Sequence, residues 1–321
     1  MTDSKPNLIV LVGATASGKT AIAIDLAKRL DGEIISADSR YFFKDLQIGT
    51  AKPSFEQRSQ VRHHLIDVTT LAAPWSLGEF RTEAESLILD INSRGKVPIL
   101  VGGSGQYIRA ITENWTIPAQ EPDHGLRLAI ENWGKLVGFD RLHTQLSWID
   151  AQAARVIDPR NHRRTVRALE VIFLSGQRFS ELRQTSGSKY CQLIIGLDWP
   201  RGLLYKRIDE RIDLMLSNGL VAEVEQVLAS GMGKHLRRVG IIGYTEILDY
   251  LEGKSTLEEA VMLIRRNTRR FIRHQSNWFK PDNPDIHWFN AQDPDTIDQM
   301  LGLIQDRFAQ RLTEAPGCLD S

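Results

Sequence analysis

Short apolar runs alternate with amphipathic segments along the first hundred residues of the chain. Asn7–Val12 and Val97–Val101 are short and almost entirely apolar, which predicts buried strands. Glu33–Ala37 and His64–Val68 predict two further strands, and Leu77–Ser93 has the periodicity of a helix. Strands that alternate with helices favour a parallel sheet with helices on both faces. The sequence therefore predicts an α/β core.

This alternation stops near residues 117–123, where two prolines and several polar residues mark a boundary. Helical patterns without strands continue from there to about residue 188. A core strand is predicted again at Gln192–Leu197, and long helices follow it. We therefore expect an inserted all-helical domain at 118–189, and a core built from 1–117 and 190–321.

Eight residues between the first strand and the first helix match the phosphate-binding pattern G-x-x-x-x-G-K-[ST]. They are Gly13, Ala14, Thr15, Ala16, Ser17, Gly18, Lys19 and Thr20. A strand before and a helix after are the context that this motif requires. Backbone N–H groups at the helix start attract an oxyanion together with Lys19, and the Thr20 hydroxyl can ligate Mg²⁺. The loop predicts phosphate binding without identifying the compound that carries the phosphate.

Composition narrows the class of protein. The 321 residues are 42% hydrophobic and 25% charged, as is usual for a globular protein. No apolar run has the length of a membrane span, and residues 1–7 lack the profile of a signal peptide. Cys191 and Cys318 are isolated, which argues against a zinc module or a disulfide framework. We expect a cytoplasmic protein without a membrane partner.

The formal net charge is zero, but positive charge is concentrated in two segments. Arg155–Lys189 contains eight lysines and arginines against three acids. Met262–Lys280 contains six and no acid. Such segments favour binding of a polyanion, although solvated helix faces are an alternative interpretation.

Three residues outside the loop are candidates for chemistry. Asp38 directly follows the second strand, where it can act as a general base, a helix cap or a Mg²⁺ partner. Arg207 and Arg211 lie four residues apart on a predicted helix, with Asp209 and Asp213 nearby. These charges can form ion pairs within the helix, or one arginine can neutralise a leaving phosphate.

A long helix is predicted at Glu258–Trp278. Ile264 and Gln275 belong to its core-facing stripe, and Arg265 and Arg269 lie on an adjacent face. Arginines without intervening acids repel one another. A phosphodiester backbone would relieve this repulsion, which favours RNA as the polyanion.

The motifs together resemble those of the tRNA dimethylallyltransferases, also called tRNA isopentenyltransferases. The resemblance covers most of the chain, and the Ile-Gly-Thr-Ala-Lys-Pro segment at 48–53 is its most specific part. The matching segments are Gly13–Thr20, Ser36–Ser39, Asp45–Pro53, His63–Asp67, Val101–Gly105, Arg167–Val171, Ile242–Tyr244 and Thr268–Trp278.

The resemblance implies a P-loop NTPase-like fold and a specific reaction. A dimethylallyl group passes from dimethylallyl diphosphate to N6 of the adenosine 3′-adjacent to the anticodon of tRNA, and diphosphate is released. Gly13–Thr20 would hold the diphosphate with Mg²⁺, which Thr20 helps to bind. Asp38 would be the general base, and Arg211 would stabilise the departing diphosphate. We expect a monomer that acts on the anticodon stem-loop.

The resemblance also assigns contacts with tRNA. The implied positions are Asp38, Ser39, Arg40, Tyr41, Ser104, Arg127, Arg163, Arg164, Thr165, Val166, Arg167, Gly240, Ile241, Ile242, Gly243, Tyr244, Thr245, Arg273, His274 and Gln275. The chain departs from the usual family pattern at 40–43, Gly240, Thr245 and His274. Tyr41 stands where glutamine is usual, and an aromatic ring there would stack on a base.

The residues themselves do not exclude three other functions. A prenyltransferase for free adenine nucleotides would use the same loop, but it would not need the basic segments. A small-molecule kinase would bind ATP there. A nucleotide-gated RNA-binding switch is the alternative outside enzymes, although no Asn-Lys-x-Asp motif for guanine is present.

Overall fold

A computed structural model describes residues 5–116, 123–182 and 187–313, with side chains described as far as residue 308. The chain divides into two compact units. One combines Met1–Thr112 with Ser188–Ser321, and the other is Glu113–Gly187. The expected insert at 118–189 corresponds to the second unit with shifted ends. The predicted boundary at 117–122 and Cys318 lie outside the described residues.

The larger unit contains one parallel sheet of six strands in its described part, in the order β3-β2-β4-β1-β5-β6. The strands are β1 (Asn7–Gly13), β2 (Gly32–Ser36), β3 (His63–His64), β4 (Val97–Gly102), β5 (Cys191–Asp198) and β6 (Ile286–Asn290). In a parallel sheet all carboxyl ends lie at one edge, which is where ligands collect. The phosphate loop, Asp38 and Gly103 follow β1, β2 and β4 at this edge.

Helices surround this sheet and fill the insert. Those before the insert are α1 (Lys19–Arg29), α2 (Phe55–Gln60), α3 (Leu77–Ser93) and α4 (Gly105–Thr112). The insert contains α5 (His124–Val137), α6 (Phe139–Ile149), α7 (Ala151–Val156), α8 (His162–Ser175) and α9 (Phe179–Leu182). Those after β5 are α10 (Arg201–Ser217), α11 (Leu220–Ala229), α12 (Gly233–Val239), α13 (Tyr244–Leu251), α14 (Leu257–Trp278) and α15 (Thr296–Thr313).

The central strand β1 shows why helices cover both faces of the sheet. Its side chains point alternately to opposite faces. Leu8, Val10 and Val12 pack in a cluster with apolar residues of α3 and α4. Ile9 and Leu11 pack in a second cluster with residues of α1 and α15. All five are buried, so the predicted α/β core with helices on both faces is confirmed.

The predicted third strand at His64–Val68 is wrong in its extent. Only His63 and His64 pair with β2. Leu65 and Asp67 have φ values of 60° and 59°, a left-handed conformation that a strand cannot contain. The segment therefore turns immediately after two residues. No helix is predicted from the sequence at α2, although Ser54 and Gln57 form a capping box that starts it.

In the part of the insert that the structure describes, five helices pack around a separate apolar core. Leu142 and Leu146 of α6 are fully buried against Ala168 and Leu169 of α8. The helical character of the insert agrees with the sequence pattern.

Candidate functional site

The phosphate loop connects β1 to α1 and leaves the start of this helix uncapped. α1 begins at Lys19, and its N-cap residue Gly18 has a φ of 90°. No side chain forms a hydrogen bond that caps this helix. The first N–H groups of a helix have no intrahelical acceptor, so they attract an anion. The loop therefore offers the phosphate site that its sequence predicts.

Lys19 bends back over its own loop. Its ammonium group donates hydrogen bonds to the carbonyl oxygens of Gly13 at 3.0 Å and Ala14 at 2.7 Å. Burial lowers the pKa of Lys19 to about 8, the Asp38 carboxylate raises it, and the Arg211 guanidinium lowers it. A bound anion would favour the charged form of this lysine.

Gln275 of α14 fixes the loop to the end of β4. Its Oε1 accepts a hydrogen bond from the backbone N–H of Thr15 at 2.9 Å, and its Nε2 donates to the carbonyl oxygen of Gly103 at 3.0 Å. A Cβ atom at Gly103 would lie 2.3 Å from that Nε2. A side chain at Gly103 would therefore displace the Gln275 amide and break its hydrogen bond to the Gly103 carbonyl oxygen. Gln275, predicted to contact tRNA, is buried and contacts the loop.

Two side chains from the second half of the chain support the other side of the loop. The Trp199 indole N–H donates to the carbonyl oxygen of Ser17 at 2.8 Å. Arg207 donates from Nε to the carbonyl oxygen of Ala16 at 2.9 Å, and its guanidinium lies 4.4 Å from the centre of the Trp199 ring. The loop is thus held in shape by its neighbours before any ligand binds.

A cleft of about 440 Å³ opens beside the loop. Its charged lining residues are four cations and two acids: Lys19, Arg40, Arg207, Arg211, Asp38 and Glu210. Ser17 also lines it, and the buried Ser17 hydroxyl has no hydrogen-bond partner among the described residues. A buried polar group without a partner costs free energy, which a phosphate oxygen would recover. The cleft suits a compact polyanion.

Asp38 lies where β2 ends, at the wall of this cleft. Its Oδ1 accepts a hydrogen bond from the backbone N–H of Arg40 at 3.1 Å, which fixes the carboxylate in a turn. The Arg40 guanidinium stacks on Phe271 of α14, 4.2 Å from the ring centre. Loss of hydration lowers the pKa of Arg40, whereas Asp38 raises it.

Arg211 of α10 reaches the same cleft and donates to the carbonyl oxygen of Thr50 at 3.3 Å. The segment before Thr50 is held by Glu223, whose carboxylate accepts the backbone N–H groups of Ile48 at 3.0 Å and Gly49 at 3.2 Å. The Tyr244 hydroxyl donates to the same carboxylate at 2.7 Å. Glu223 therefore positions the carbonyl group that Arg211 contacts.

A second cavity, of about 390 Å³, adjoins the turn that carries Asp38. Arg40 lines both this cavity and the cleft beside the loop. The aromatic residues that line the second cavity are Phe42, Phe43, Trp75, Tyr107 and Phe271. The centre of the Phe42 ring lies 5.7 Å from that of Trp75 and 5.7 Å from that of Tyr107. Such rings suit a flat, partly apolar group such as a nucleobase.

The predicted RNA-contacting residues of the larger unit differ in exposure. Ser39 lines the second cavity, and Ser104 is partly exposed just before α4. Gly240 is exposed at the end of α12, and Ile242 and Thr245 are partly exposed. Ile241, Gly243 and Tyr244 are buried. Arg273 and His274 are exposed on α14, so only these two members of their triplet present side chains to solvent.

In the insert, the predicted RNA-contacting residues surround a buried acid. Arg127 and Arg167 form ion pairs with the fully buried Glu170 carboxylate, at 2.7 Å and 3.0 Å. Thr165 and Val166 are buried in the core of the insert, whereas Arg163 is exposed and Arg164 partly exposed. Glu170 thus orients two arginines, and Arg163 presents its charge to solvent.

The expected repulsion along α14 is wrong for two of its arginines. Arg265 forms an ion pair with Asp213, and Arg269 forms one with Asp209. Both acids belong to α10, so they pair with arginines of another helix, and the alternative of ion pairs within α10 is wrong for them. Only the packing of α10 on α14 brings these charges together. Charge repulsion at Arg265 and Arg269 therefore no longer supports RNA binding.

A metal-binding cluster and a membrane-spanning helix are both absent from the described part of the chain. No group of three or more His, Cys, Asp or Glu side chains is placed there to hold a metal ion. No described helix is both long and apolar enough to cross a membrane.

Comparison with known proteins gives consistent results. Residues 41–282 match the family model of IPP transferase. A tRNA dimethylallyltransferase of Thermomicrobium roseum is 39% identical over 305 residues, which cover 95% of this chain and 92% of the relative. The tRNA isopentenylpyrophosphate transferase of Bacillus halodurans superposes with a TM-score of 0.73 at 37% identity, over 96% of this chain and 99% of that one. A eukaryotic dimethylallyltransferase acting on tRNA superposes with a TM-score of 0.80 at 26% identity, over 95% and 80%.

Proposed function

This chain belongs to the IPP transferase family, and we propose that it transfers a dimethylallyl group from dimethylallyl diphosphate to tRNA. The acceptor is N6 of the adenosine 3′-adjacent to the anticodon. One observation carries the proposal: Asp38 lines the cationic cleft beside the phosphate loop, the next residue, Ser39, lines the aromatic cavity, and Arg40 lines both. A reaction between a diphosphate ester and a nucleobase needs this arrangement, whereas phosphate binding alone does not.

The loop side of the cleft would bind the diphosphate of the donor. Uncapped N–H groups of α1 and the Ser17 hydroxyl would contact its oxygens, and Lys19 and Arg211 would balance its charge. Mg²⁺ fits here because it commonly takes one or two protein oxygens together with phosphate oxygens. Thr20 would supply one ligand and the diphosphate others, and the ion would further neutralise the leaving group.

The aromatic cavity would receive the acceptor base. An adenine in a stacked anticodon loop has to leave the stack before its N6 is accessible, and stacking on protein side chains compensates for the loss. The partly exposed rings of Trp75 and Tyr107 offer faces and edges for this purpose, and the buried Phe42 ring packs behind them. Asp38 lies at the adjoining wall, where its carboxylate can accept a proton from the exocyclic amine.

The proposed step is a displacement at the allylic carbon. The N6 lone pair forms a bond to this carbon, and the carbon–oxygen bond breaks with its electron pair moving to the diphosphate. The N6 proton passes to the Asp38 carboxylate. Lys19 and Arg211 stabilise the charge that develops on the leaving diphosphate.

Exposed basic residues would bind the rest of the tRNA. Arg163 of the insert and Arg273 of α14 are exposed, and their contacts with phosphates would position the anticodon stem-loop. Each residue assigned to the cleft and the aromatic cavity comes from the same compact unit of one chain. This supports a monomer as the active form.

The test offers the protein dimethylallyl diphosphate labelled in the prenyl group, with Mg²⁺ and either tRNA or AMP. We expect label in tRNA alone. Label in AMP alone would support the free-nucleotide prenyltransferase, and label in neither would refute prenyl transfer. Terminal-phosphate-labelled ATP with candidate small acceptors tests the kinase alternative in parallel.

Asp38→Asn tests the general base with little change in size. We expect its transfer rate to fall by roughly 10²–10⁴-fold, because proton transfer by a positioned side chain contributes about this much. Binding of tRNA and pyrophosphate should change little. A rate equal to that of the wild type would eliminate Asp38 as the base. Asp45→Asn, at an exposed acid of the same connecting segment, is the control.

A further inference from the structure

Tyr41 points into the phosphate cleft instead of presenting a free ring to RNA. It lines the cleft together with Lys19 and Arg211. Its hydroxyl donates a hydrogen bond to the carbonyl oxygen of Ala51 at 3.1 Å. Its backbone forms hydrogen bonds on both sides: its N–H donates to the backbone carbonyl oxygen of Asp38 at 3.0 Å, and its carbonyl oxygen accepts the N–H of Asp67 at 2.9 Å. The ring is therefore held in a fixed direction.

The surroundings of the phenol match those of an anion-binding donor. Burial raises the pKa of Tyr41, the nearby Asp38 carboxylate raises it further, and interactions with Arg211 and Thr20 lower it. A tyrosine hydroxyl is protonated near neutral pH and can donate a hydrogen bond. Arg211 and Thr20 are the same side chains that are assigned to the leaving diphosphate and its Mg²⁺. A diphosphate oxygen held between them lies next to the phenol.

We propose that Tyr41 binds the diphosphate of the prenyl donor, its hydroxyl turning from the Ala51 carbonyl to a diphosphate oxygen. This inference rests on the proposed function and adds a residue to it. The added hydrogen bond is neutral to charged, and it strengthens as negative charge collects on the leaving group. Stacking of Tyr41 on an RNA base, the expectation from the sequence, is the alternative outcome.

Calorimetric titration with sodium pyrophosphate in the presence of Mg²⁺ tests the contact without turnover. Tyr41→Phe removes the hydroxyl and keeps the ring. We expect the dissociation constant of pyrophosphate to rise about ten- to hundredfold, the usual effect of losing a hydrogen bond to a charged group. The dissociation constant of tRNA should stay within about twofold of the wild-type value, because Tyr41→Phe keeps the ring that base stacking would need. The kcat for prenyl transfer should fall, since the hydroxyl no longer stabilises the leaving group.

Two further variants separate this role from a structural one. Tyr250→Phe makes the same chemical change at a partly buried tyrosine of α13, outside both cavities, and should bind pyrophosphate like the wild type. Tyr41→Gln keeps a hydrogen-bond donor and should recover part of the lost affinity. Equal pyrophosphate affinity in Tyr41→Phe and wild type would overturn the inference. So would a loss of tRNA affinity in Tyr41→Gln with unchanged pyrophosphate binding.

The wild-type protein distinguishes the two levels of the proposal. Failure of the wild type to label tRNA would refute the proposed function, and the assigned diphosphate role with it. Labelling of tRNA by the wild type, with pyrophosphate affinity unchanged in Tyr41→Phe, would refute the role of Tyr41 alone.

Discussion

The pH dependence of pyrophosphate binding tests how the protein holds Lys19. Burial lowers the pKa of this lysine to about 8 in the free protein, from an ordinary value of 10.5. A diphosphate brings negative charge beside the ammonium group and would raise the pKa again. Above pH 8, binding therefore requires uptake of a proton by Lys19. Its contribution to affinity is nearly complete at about pH 7 and declines as the pH rises through about 8.

The size of the effect follows from this pKa. Lys19 is mostly charged at pH 7 and about one-tenth charged at pH 9. If the bound lysine stays charged, the fall in the charged fraction of the free protein raises the dissociation constant of pyrophosphate about tenfold between these pH values. This corresponds to about 1.4 kcal/mol of binding free energy. The complex should take up about 0.9 proton through Lys19 at pH 9.

Calorimetry in two buffers with different protonation enthalpies measures both the affinity and the proton uptake. Lys19→Arg is the matched control, because a guanidinium stays charged throughout this range. Protonation of pyrophosphate itself affects both proteins equally. The difference between them in affinity and proton uptake therefore reports the protonation of Lys19. The same pH dependence and proton uptake in both proteins would refute the reasoning.

Two further predictions concern residues that hold the site in shape. Gln275→Ala leaves the Thr15 N–H and the Gly103 carbonyl oxygen without their hydrogen-bond partner. We therefore expect the free energy of unfolding in urea to fall by about 1–3 kcal/mol, and pyrophosphate binding to weaken. Arg273→Ala changes an exposed residue of the same helix and should weaken tRNA binding alone. If both variants showed the same changes in stability, pyrophosphate binding and tRNA binding, the assignment of Gln275 to the loop would be contradicted. Glu223→Gln should lower the free energy of unfolding by about 1.5–3 kcal/mol, since a charged acceptor of several donors is lost. Glu225→Gln, exposed on the same helix, should change it little, and an equal loss there would show that the Glu223 contacts contribute nothing.

Local patterns in the sequence were sufficient for much of the fold. The strand at 7–13 was predicted within one residue, and a helix was predicted to follow the loop, because the apolar run and the glycine loop depend on near neighbours. The third strand was predicted too long. Its apolar residues fit a strand, but Leu65 and Asp67 adopt left-handed conformations that the surrounding fold imposes.

Contacts between distant segments were beyond such patterns. Glu223 holds the backbone of Ile48 and Gly49, and no local signal connects these positions. Trp199 supports the carbonyl of Ser17 in the same way. Pairing of Asp209 with Arg269 likewise depends on the packing of two helices, so the sequence suggested repulsion where the structure has an ion pair.

The sequence by itself determined that the chain has a phosphate loop between a strand and a helix, because loop geometry and helix-end N–H groups are local properties. It also supplied the ordered motifs of a family. Only the tertiary structure decided which side chains face the loop. Gln275 proved to support it, and Tyr41 proved to line its cleft. The direction of a side chain depends on the packing of elements far apart in the chain, and periodicity along one segment carries no information about that packing.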